Sequence, residues 1–193
     1  MLKNRVKGFT LLESLFAVTI TCVLISALFF ALSSGELSQA ASGAKVELQE
    51  EARRLSDWIN NDARQAVSWE IADSANNPNS SHIKFRQVLG WDTGANNFQL
   101  STNYVEYSYD ADNGNITRKT LNSDGSVIQA WFFNHIIQPP FYTRDSSGNA
   151  VVLNGSDLLS SRRLIALISV QKAIRGSLTA AFNITSEVKI RNE

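Results

Sequence analysis

A long stretch near the N-terminus contains no charged residue, and it constrains the fold more than any other feature of the sequence. It runs from Ser14 to Gly35. A membrane-spanning helix needs roughly 20 predominantly apolar residues, and residues 9–32 supply that number. The sequence therefore predicts a membrane helix, and everything after it is expected to form the domain that this helix anchors.

One carboxylate, Glu13, lies close to the start of this apolar stretch. An ionisable residue inside a membrane segment is costly and is a functional candidate with a partner to be named. A cleaved secretory signal is the alternative interpretation. It would have an apolar region of about 7–15 residues and a small-residue cleavage site, for which Ser38-Gln39-Ala40 could serve. The apolar stretch is too long for such a signal, and Glu13 stands where a signal has no acid.

Charge and cysteine content narrow the class of protein further. The 18 basic and 18 acidic residues cancel, so the composition offers no basic footprint for nucleic acid. The residues before the apolar stretch include three basic residues, Lys3, Arg5 and Lys7, and no acidic residue. By the positive-inside rule, the N-terminus is therefore expected to stay in the cytoplasm and the rest of the chain to be exported. Cys22 is the only cysteine, so no intramolecular disulfide is possible, and we interpret it as a small apolar residue within the membrane.

Helical periodicity continues beyond the apolar stretch. Between residues 44 and 67 apolar residues recur at steps of three and four, which predicts one apolar stripe along a helix; they are Ala44, Leu48, Ala52, Leu55, Ile59, Ala63 and Ala66. A continuous helix from Phe9 to about Val67 would be roughly 90 Å long. Gly35 and Gly43 each weaken a helix by about 1 kcal/mol relative to alanine, which makes residues 34–43 a candidate flexible joint.

The remainder of the chain is typical of antiparallel strands. Residues 72–81 are expected to be a polar loop with nothing to bury. Strands are predicted at 82–89, 98–100, 104–110, 115–121, 127–133 and 136–143, with a closing hairpin formed by 162–173 and 177–191. Turns are predicted at 111–114, 122–125 and 145–149, and Pro139-Pro140 indicates an edge or a bend. The fold class is therefore α+β: a long N-terminal transmembrane and amphipathic helix packed on a C-terminal antiparallel β-sheet head.

At the N-terminus the residues Gly8-Phe9-Thr10-Leu11-Leu12-Glu13 resemble the processing site of the type IV pilin-like family, which comprises pilins, minor pilins and type II secretion pseudopilins. The resemblance implies a prepilin peptidase that cuts after Gly8 and methylates the new N-terminus at Phe9. It also implies four segments: a leader at 1–8, a transmembrane helix at 9–33, an amphipathic helix at 34–71 and a β-rich head at 72–193.

The rest of the chain has a weaker resemblance to the larger minor subunits, minor pilin W and pseudopilin J. It rests on residues 51–66, on the hairpin 105–118 with its tyrosine and terminal arginine, and on the ending at 187–192. Many major pilins carry a mid-membrane proline, where this chain has Phe30, and a C-terminal cysteine pair, which this chain lacks. Both departures argue for a minor subunit.

For Glu13 we predict a role in assembly. Cleavage after Gly8 leaves an α-amino group with a reference pKa near 7.7–8.0 at Phe9, and N-methylation retains the cation. Pairing this amine with Glu13 of the adjacent subunit would neutralise both charges and fix the axial register between otherwise apolar helices. Two alternatives stay open: Glu13 favours the helix dipole from the first turn, or it pairs with the amine of its own chain.

The implied function is a structural subunit of a type IV pilus or type II secretion-like filament, with no catalytic, metal or cofactor site. Its expected partners are the prepilin peptidase, other minor pilins or pseudopilins, an inner-membrane assembly platform and membrane lipid. It would be a single-pass protein of the inner membrane before assembly. The alternative is a binding module at a filament tip, an adhesin or a receptor for DNA or secreted substrate. A third possibility is an exported enzyme on an uncleaved anchor, which a pocket with clustered ionisable groups would favour.

Four further features are not interpreted as sites. Asp110–Asn115 lacks the glycine and glutamate positions of a calcium-binding EF-hand loop, so we predict a hairpin turn there. His82 and His135 have no ligand spacing around them. Ser160-Ser161 is predicted to be turn. The tryptophans are expected to form core and helix–sheet contacts; they are Trp58, Trp69, Trp91 and Trp131.

Overall fold

The computed structural model describes residues 10–175 and 178–191 of the chain. Helix α1 spans Leu11–Arg64 and continues without interruption through Gly35 and Gly43. The chain divides into two compact units, one ending at Gly43 and one beginning at Ala44. The boundary lies at the C-terminal end of the predicted joint at 34–43, and bending there stays a prediction.

In the N-terminal unit, α1 is long and apolar enough to cross a membrane, and none of its apolar window is buried by the rest of the chain. Hydroxyl groups in this segment bond back to main-chain oxygens four residues earlier, as in Thr19 Oγ1 to Leu15 O and Ser26 Oγ to Cys22 O, both at 2.8 Å. Such bonds satisfy the polar side chains within the helix itself. The structure thus confirms that the uncharged stretch from Ser14 to Gly35 is helical throughout.

In the C-terminal unit, α1 contributes one apolar stripe to the hydrophobic core. The buried residues follow the predicted spacing and are Leu48, Ala52, Leu55, Ile59 and Ala63. Ala66, just beyond the helix, is also fully buried. The helix ends at Arg64, three residues earlier than predicted, and is followed by the short helix α2 (Ser68–Ala72) and a single 3-10 turn, Ser74–Asn76.

The first β-sheet is a four-stranded antiparallel meander in chain order. Its strands are β1 (His82–Asp92), β2 (Asn97–Asp110), β3 (Asn115–Leu121) and β4 (Val127–Phe133). Alternate residues of these strands face α1 and are buried, as the period of two requires; they include Ile83, Phe85, Val105, Tyr107, Ile116 and Phe133. The two strands predicted at 98–100 and 104–110 form one continuous strand, β2.

The second sheet is also antiparallel, but its order does not follow the chain. Its strands are β5 (Phe141–Arg144), β6 (Ala150–Val152), β7 (Arg163–Arg175) and β8 (Leu178–Lys189), arranged as β6-β5-β7-β8. Helix α3 (Gly155–Ser161) lies between β6 and β7 in sequence. The α+β class, with a long N-terminal helix followed by antiparallel β-sheet, is confirmed. The strands of the head are divided between two sheets, a division that the sequence did not predict.

Several local predictions need correction. The predicted polar loop at 72–81 contains the 3-10 turn, and its Asn76 is buried and donates a hydrogen bond to Glu70 O at 2.8 Å. Ser160 and Ser161 belong to α3 and not to a turn. The strand predicted at 136–143 is reduced to a bridge between Ile136 and Val170 and to β5, with the two prolines between them.

The predicted hairpin turns at 111–114, 122–125 and 145–149 are confirmed. Gly114 adopts a positive φ of 60° between β2 and β3, and a Cβ there would lie 3.0 Å from Ile136 O. The closing hairpin of β7 and β8 is confirmed as well, from Arg163 paired with Lys189 to Arg175 paired with Leu178. Its turn, at Gly176 and Ser177, lies outside the described residues.

Candidate functional site

The predicted processing site lies outside the described residues, which begin at Thr10. No geometry is therefore assigned to Gly8 or Phe9. Helix α1 begins at Leu11, two residues after Phe9, with Glu13 in its first turn. The candidate functional site that the structure does describe at this end of the chain is the first helical turn.

Thr10 and Glu13 form a reciprocal capping arrangement at the start of α1. The Thr10 N–H and hydroxyl both lie 3.3 Å from Glu13 Oε2, and the Glu13 N–H donates to Thr10 Oγ1 at 3.3 Å. This is the capping box, in which an N-cap hydroxyl and an acid three residues later satisfy each other's main-chain donors. Within one chain, the Glu13 carboxylate therefore accepts hydrogen bonds from the helix start. Its predicted pairing with a neighbouring subunit stays a prediction.

A second polar cluster lies where α1 meets the first sheet, and it was not predicted from the sequence. Its members are Asp62, Gln87, Tyr107 and Arg118. Asp62 is only 7 % exposed and stands on the apolar stripe of α1, three residues after Ile59. The sequence did carry a signal for this cluster, namely a carboxylate on the apolar stripe of a helix. A buried charge needs a partner, so a partner for Asp62 could have been expected. The hairpin's Tyr107 and Arg118 were noted only as part of the resemblance.

The Asp62 carboxylate accepts four hydrogen bonds. Oδ2 lies 2.6 Å from Tyr107 Oη and 2.7 Å from Arg118 Nε, while Oδ1 lies 3.1 Å from Gln87 Nε2 and 3.2 Å from Arg118 Nη2. Burial, reinforced by the Asp62 charge, raises the pKa of Tyr107 far above its ordinary value. The phenol is therefore a hydrogen-bond donor across the physiological range.

Two tryptophans enclose the Arg118 guanidinium. Its Cζ lies 4.8 Å from the ring centroid of Trp58 on α1 and 4.9 Å from that of Trp131 on β4. The two indoles also meet edge to face at 4.8 Å. These two tryptophans confirm the predicted helix–sheet contact. Trp69 and Trp91 are 40 % and 48 % exposed, so the prediction that all four form core contacts is wrong for them.

A second ion pair joins α2 to β1. Arg86 Nε and Nη2 donate to the two carboxylate oxygens of Glu70 at 2.8 and 3.1 Å. Glu70 is only 2 % exposed, and its hydrogen bond raises the pKa of Arg86. Both buried carboxylates of this region are thus held by arginines of the first sheet, which indicates a structural role in fixing α1 and α2 to it.

The surface of the head has cavities, one of which lies beside the Asp62 cluster. A cavity of about 320 Å³ lies against Trp58, Asn61, Asp62, Arg118 and Trp131. No group of three or more His, Cys, Asp or Glu side chains in the described part of the chain is placed to hold a metal ion. Asp110 accepts bonds from Asp112 N, Asn113 N and Asn113 Nδ2, as the predicted hairpin turn requires.

Comparison with known proteins gives one match. The family model of the prokaryotic N-terminal methylation motif matches residues 3–29. No curated protein and no solved structure matches the chain. The motif indicates a structural subunit that is processed by prepilin peptidase and assembles with pilin-type subunits. The one helix among the described residues that is long and apolar enough to cross a membrane fits a membrane-anchored protein. The chain thus combines a type IV pilin signal at its N-terminus with a type IV pilin-like α+β architecture.

Proposed function

We propose that this protein is a minor pilin or pseudopilin, a subunit present in few copies in a type IV pilus or type II secretion-like filament. The observation that carries the proposal is the methylation motif at residues 3–29, placed at the start of a helix whose second half is built into a two-sheet head. The absence of a mid-membrane proline and of a second cysteine, together with the resemblance to minor pilin W and pseudopilin J, favours a minor subunit.

In this proposal the N-terminus has two tasks. The peptidase removes residues 1–8 at the cytoplasmic face of the inner membrane and methylates Phe9. The new amine then pairs with Glu13 of the adjacent subunit during assembly. A carboxylate near the end of a membrane helix costs less than the roughly 3 kcal/mol it costs at the centre, and the Thr10 capping bonds reduce that cost before a partner arrives.

The first test is the N-terminal residue of the mature protein. Mass spectrometry of the full chain purified from its membrane should show N-methylated phenylalanine derived from Phe9. Gly8→Val should leave the leader uncleaved, because a bulky side chain replaces glycine at the scissile bond. The matched control is Gly35→Ala, which meets nothing within 4 Å and should be processed normally. A mature N-terminus near Ala41 would instead support ordinary secretion and contradict the proposal.

The second test concerns Glu13. Glu13→Ala should insert into the membrane and be processed, but it should be absent from filaments sheared from the cells. Glu36→Ala removes another exposed carboxylate of α1, outside the uncharged stretch, and should assemble as the unaltered protein does. Normal incorporation of Glu13→Ala would refute the assembly role while leaving the processing result unaffected.

A binding module at the filament tip is the second candidate function, because one part of the head, a two-stranded ribbon, exposes apolar side chains. Val88 N–H donates to Gln65 O at 2.6 Å. Beyond this point the described residues show β1 and β2 paired with each other alone, and β2 pairs with β3 from Tyr104 onward. On this two-stranded ribbon (residues 88–100), Leu89 is 67 % exposed, and the 48 % exposed Trp91 meets Phe98 edge to face at 5.1 Å. An exposed apolar surface favours a protein ligand over nucleic acid.

A photo-reactive benzoylphenylalanine at position 91 would test this second candidate in assembled filaments. Cross-links to a secreted or host-surface protein would support the tip-binding function. Cross-links to another pilin-type subunit would make the ribbon an assembly contact and contradict it. The control is the same probe at Gln99, which pairs with Gly90 on the ribbon and is also exposed.

A further inference from the structure

Both ring nitrogens of His82 face hydrogen-bond acceptors. Nε2 lies 3.0 Å from Glu106 Oε1 on β2, and Nδ1 lies 3.3 Å from Asn77 O in the segment that precedes β1. A neutral imidazole carries one N–H and can donate to only one of these oxygens, whereas the imidazolium donates to both. The geometry around His82 is therefore complete only when the ring is protonated.

The charges around His82 act in the same direction. The hydrogen bond to Glu106 is the largest influence and raises the pKa of His82, partial burial opposes it, and the Asn77 carbonyl adds to the rise. The charge of Lys84, on β1, lowers the pKa of His82, and the charges of Lys119, on β3, and of Lys84 lower the pKa of Glu106. The net result is that His82 keeps its proton to a higher pH than an ordinary histidine.

The segment that His82 holds, residues 73–81, connects both sheets. Tyr109 N donates to Ser81 O at 2.7 Å from the first sheet, and Phe141 N donates to Ser80 O at 3.0 Å from the second. Asn77, whose carbonyl His82 contacts, ends the 3-10 turn in the left-handed region, with φ of 47°, which asparagine adopts more readily than most residues. Its carbonyl also accepts from Asn79 Nδ2 at 3.2 Å, so His82 is the contact that joins this carbonyl to the first sheet.

We propose that protonated His82 is a latch that holds residues 73–81 against the first sheet, and that this segment opens when the imidazole loses its proton. After deprotonation, Nε2–H retains its bond to Glu106, the stronger acceptor, and the lone pair of Nδ1 faces the Asn77 carbonyl oxygen. The contact between the ring and the segment then changes from attraction to repulsion. The latch is independent of the assignment to a filament.

The direction of the pH dependence follows from linkage. Because the pKa is raised in the closed form, the stabilisation is complete below the ordinary histidine pKa of about 6.5 and is lost as the pH rises through the raised value. Between these two limits the equilibrium for opening should rise about tenfold per pH unit. Above the raised value it should be constant again.

The test uses the full-length protein in detergent micelles. NMR should show a titration midpoint above 6.5 for His82, which is easily assigned because His135 is the only other histidine. Hydrogen-exchange protection of residues 73–81, corrected for intrinsic exchange rates, should fall through the same midpoint, while peptides from β3 and β7 keep theirs. A His82 midpoint below 6.5, or protection of 73–81 that does not change with pH, would overturn the proposal.

Three variants distinguish the latch from a general loosening of the head. Glu106→Gln keeps an acceptor but removes the charge, so the opening transition should move to lower pH. The side chain in His82→Gln has one donor group, its amide NH2, and does not titrate. The hydrogen-exchange protection of residues 73–81 should therefore be low and independent of pH. His135→Gln should behave as the unaltered protein does. An unchanged transition in His82→Gln would refute the latch.

Discussion

Asp62 shows at the scale of one residue how the head is fixed to its helix. A lone carboxylate in a protein interior costs several kcal/mol unless it is paired and hydrogen-bonded. Asp62 meets that requirement with four hydrogen bonds from Tyr107, Arg118 and Gln87. Because these donors come from three different strands, the residue ties α1 to β1, β2 and β3 at one point and fixes the register of the helix on the sheet.

Removing one partner from this cluster should destabilise the head strongly. Asp62→Ala leaves the Arg118 guanidinium buried between two indoles without its counter-ion, and breaking a buried pair in this way costs about 3–5 kcal/mol. Denaturant unfolding of the full chain in detergent, followed by tryptophan fluorescence, measures the change. Asp57→Ala, at an exposed position five residues earlier, is the control and should stay within about 0.5 kcal/mol.

The double variant Asp62→Leu with Arg118→Met separates the charge pair from packing. Replacing both members of a buried ion pair by apolar residues of similar volume is often close to neutral. We therefore expect the double variant to recover part of the stability that Asp62→Ala loses, because Tyr107 and Gln87 still lack their acceptor. If both variants lose the same free energy, the cluster would act through packing alone and the charge argument would be wrong.

Among the secondary-structure elements, α3 depends on one close approach. A Cβ on Gly155, its first residue, would lie 2.8 Å from the main-chain oxygen of Ala72 at the end of α2. Real Cβ atoms do not come this close to backbone, so one of the two short helices must shift if a side chain is added. Leu158 of α3 is fully buried in the core, and the shift would therefore be transmitted to the second sheet.

We expect Gly155→Ala to destabilise the head by about 1–3 kcal/mol, the usual cost of overpacking. Gly43→Ala is the matched comparison, since it lies within α1 and meets nothing within 4 Å; alanine favours a helix by up to about 1 kcal/mol over glycine. Thermal unfolding of the two variants should therefore move in opposite directions. A neutral Gly155→Ala would show that α2 and α3 can separate without cost.

The sequence predicts elements whose signals are local. Strands β3 and β4 begin and end at the predicted residues, because Asn-Gly and Asp-Gly turn chemistry delimits them. The apolar stripe of α1 was recognised from its period. Helix α3 was not predicted, because its seven residues, three of them serine, are too few to show a helical period. The division into two sheets also escaped prediction, since the pairing of β5 with β7 depends on contacts between distant segments.

The same distinction between local and distant signals holds for the candidate functional residues. The processing and assembly residues were predicted because the motif Gly8–Glu13 is contiguous in sequence. The Asp62 cluster was not predicted, because its members are separated by as many as 56 residues and no pattern along the chain links them. The latch at His82 likewise depends on Glu106, which lies 24 residues away. Spacing in sequence carries no information about such contacts.

For the molecule as a whole, the response to acid follows from how its carboxylates are held. Glu187 on β8 accepts bonds from Arg144 of β5, at 2.6 and 3.1 Å, and from Arg163 of β7 at 2.7 Å. These hydrogen bonds lower the pKa of Glu187 to about 2. One carboxylate thus joins three strands of the second sheet.

Glu187 therefore makes the stability of the head depend on pH in the acid range. A carboxylate whose pKa is depressed on folding stabilises the protein fully above its unfolded pKa of about 4.3, and this stabilisation is lost as the pH falls toward the folded value. Glu187→Gln should lower the unfolding temperature at pH 6 but have little effect at pH 2. Glu36→Gln, an exposed carboxylate for which the described residues show no salt bridge, should change neither value. An equal loss at both pH values in Glu187→Gln would mean that this residue stabilises the second sheet through its shape and not through its charge.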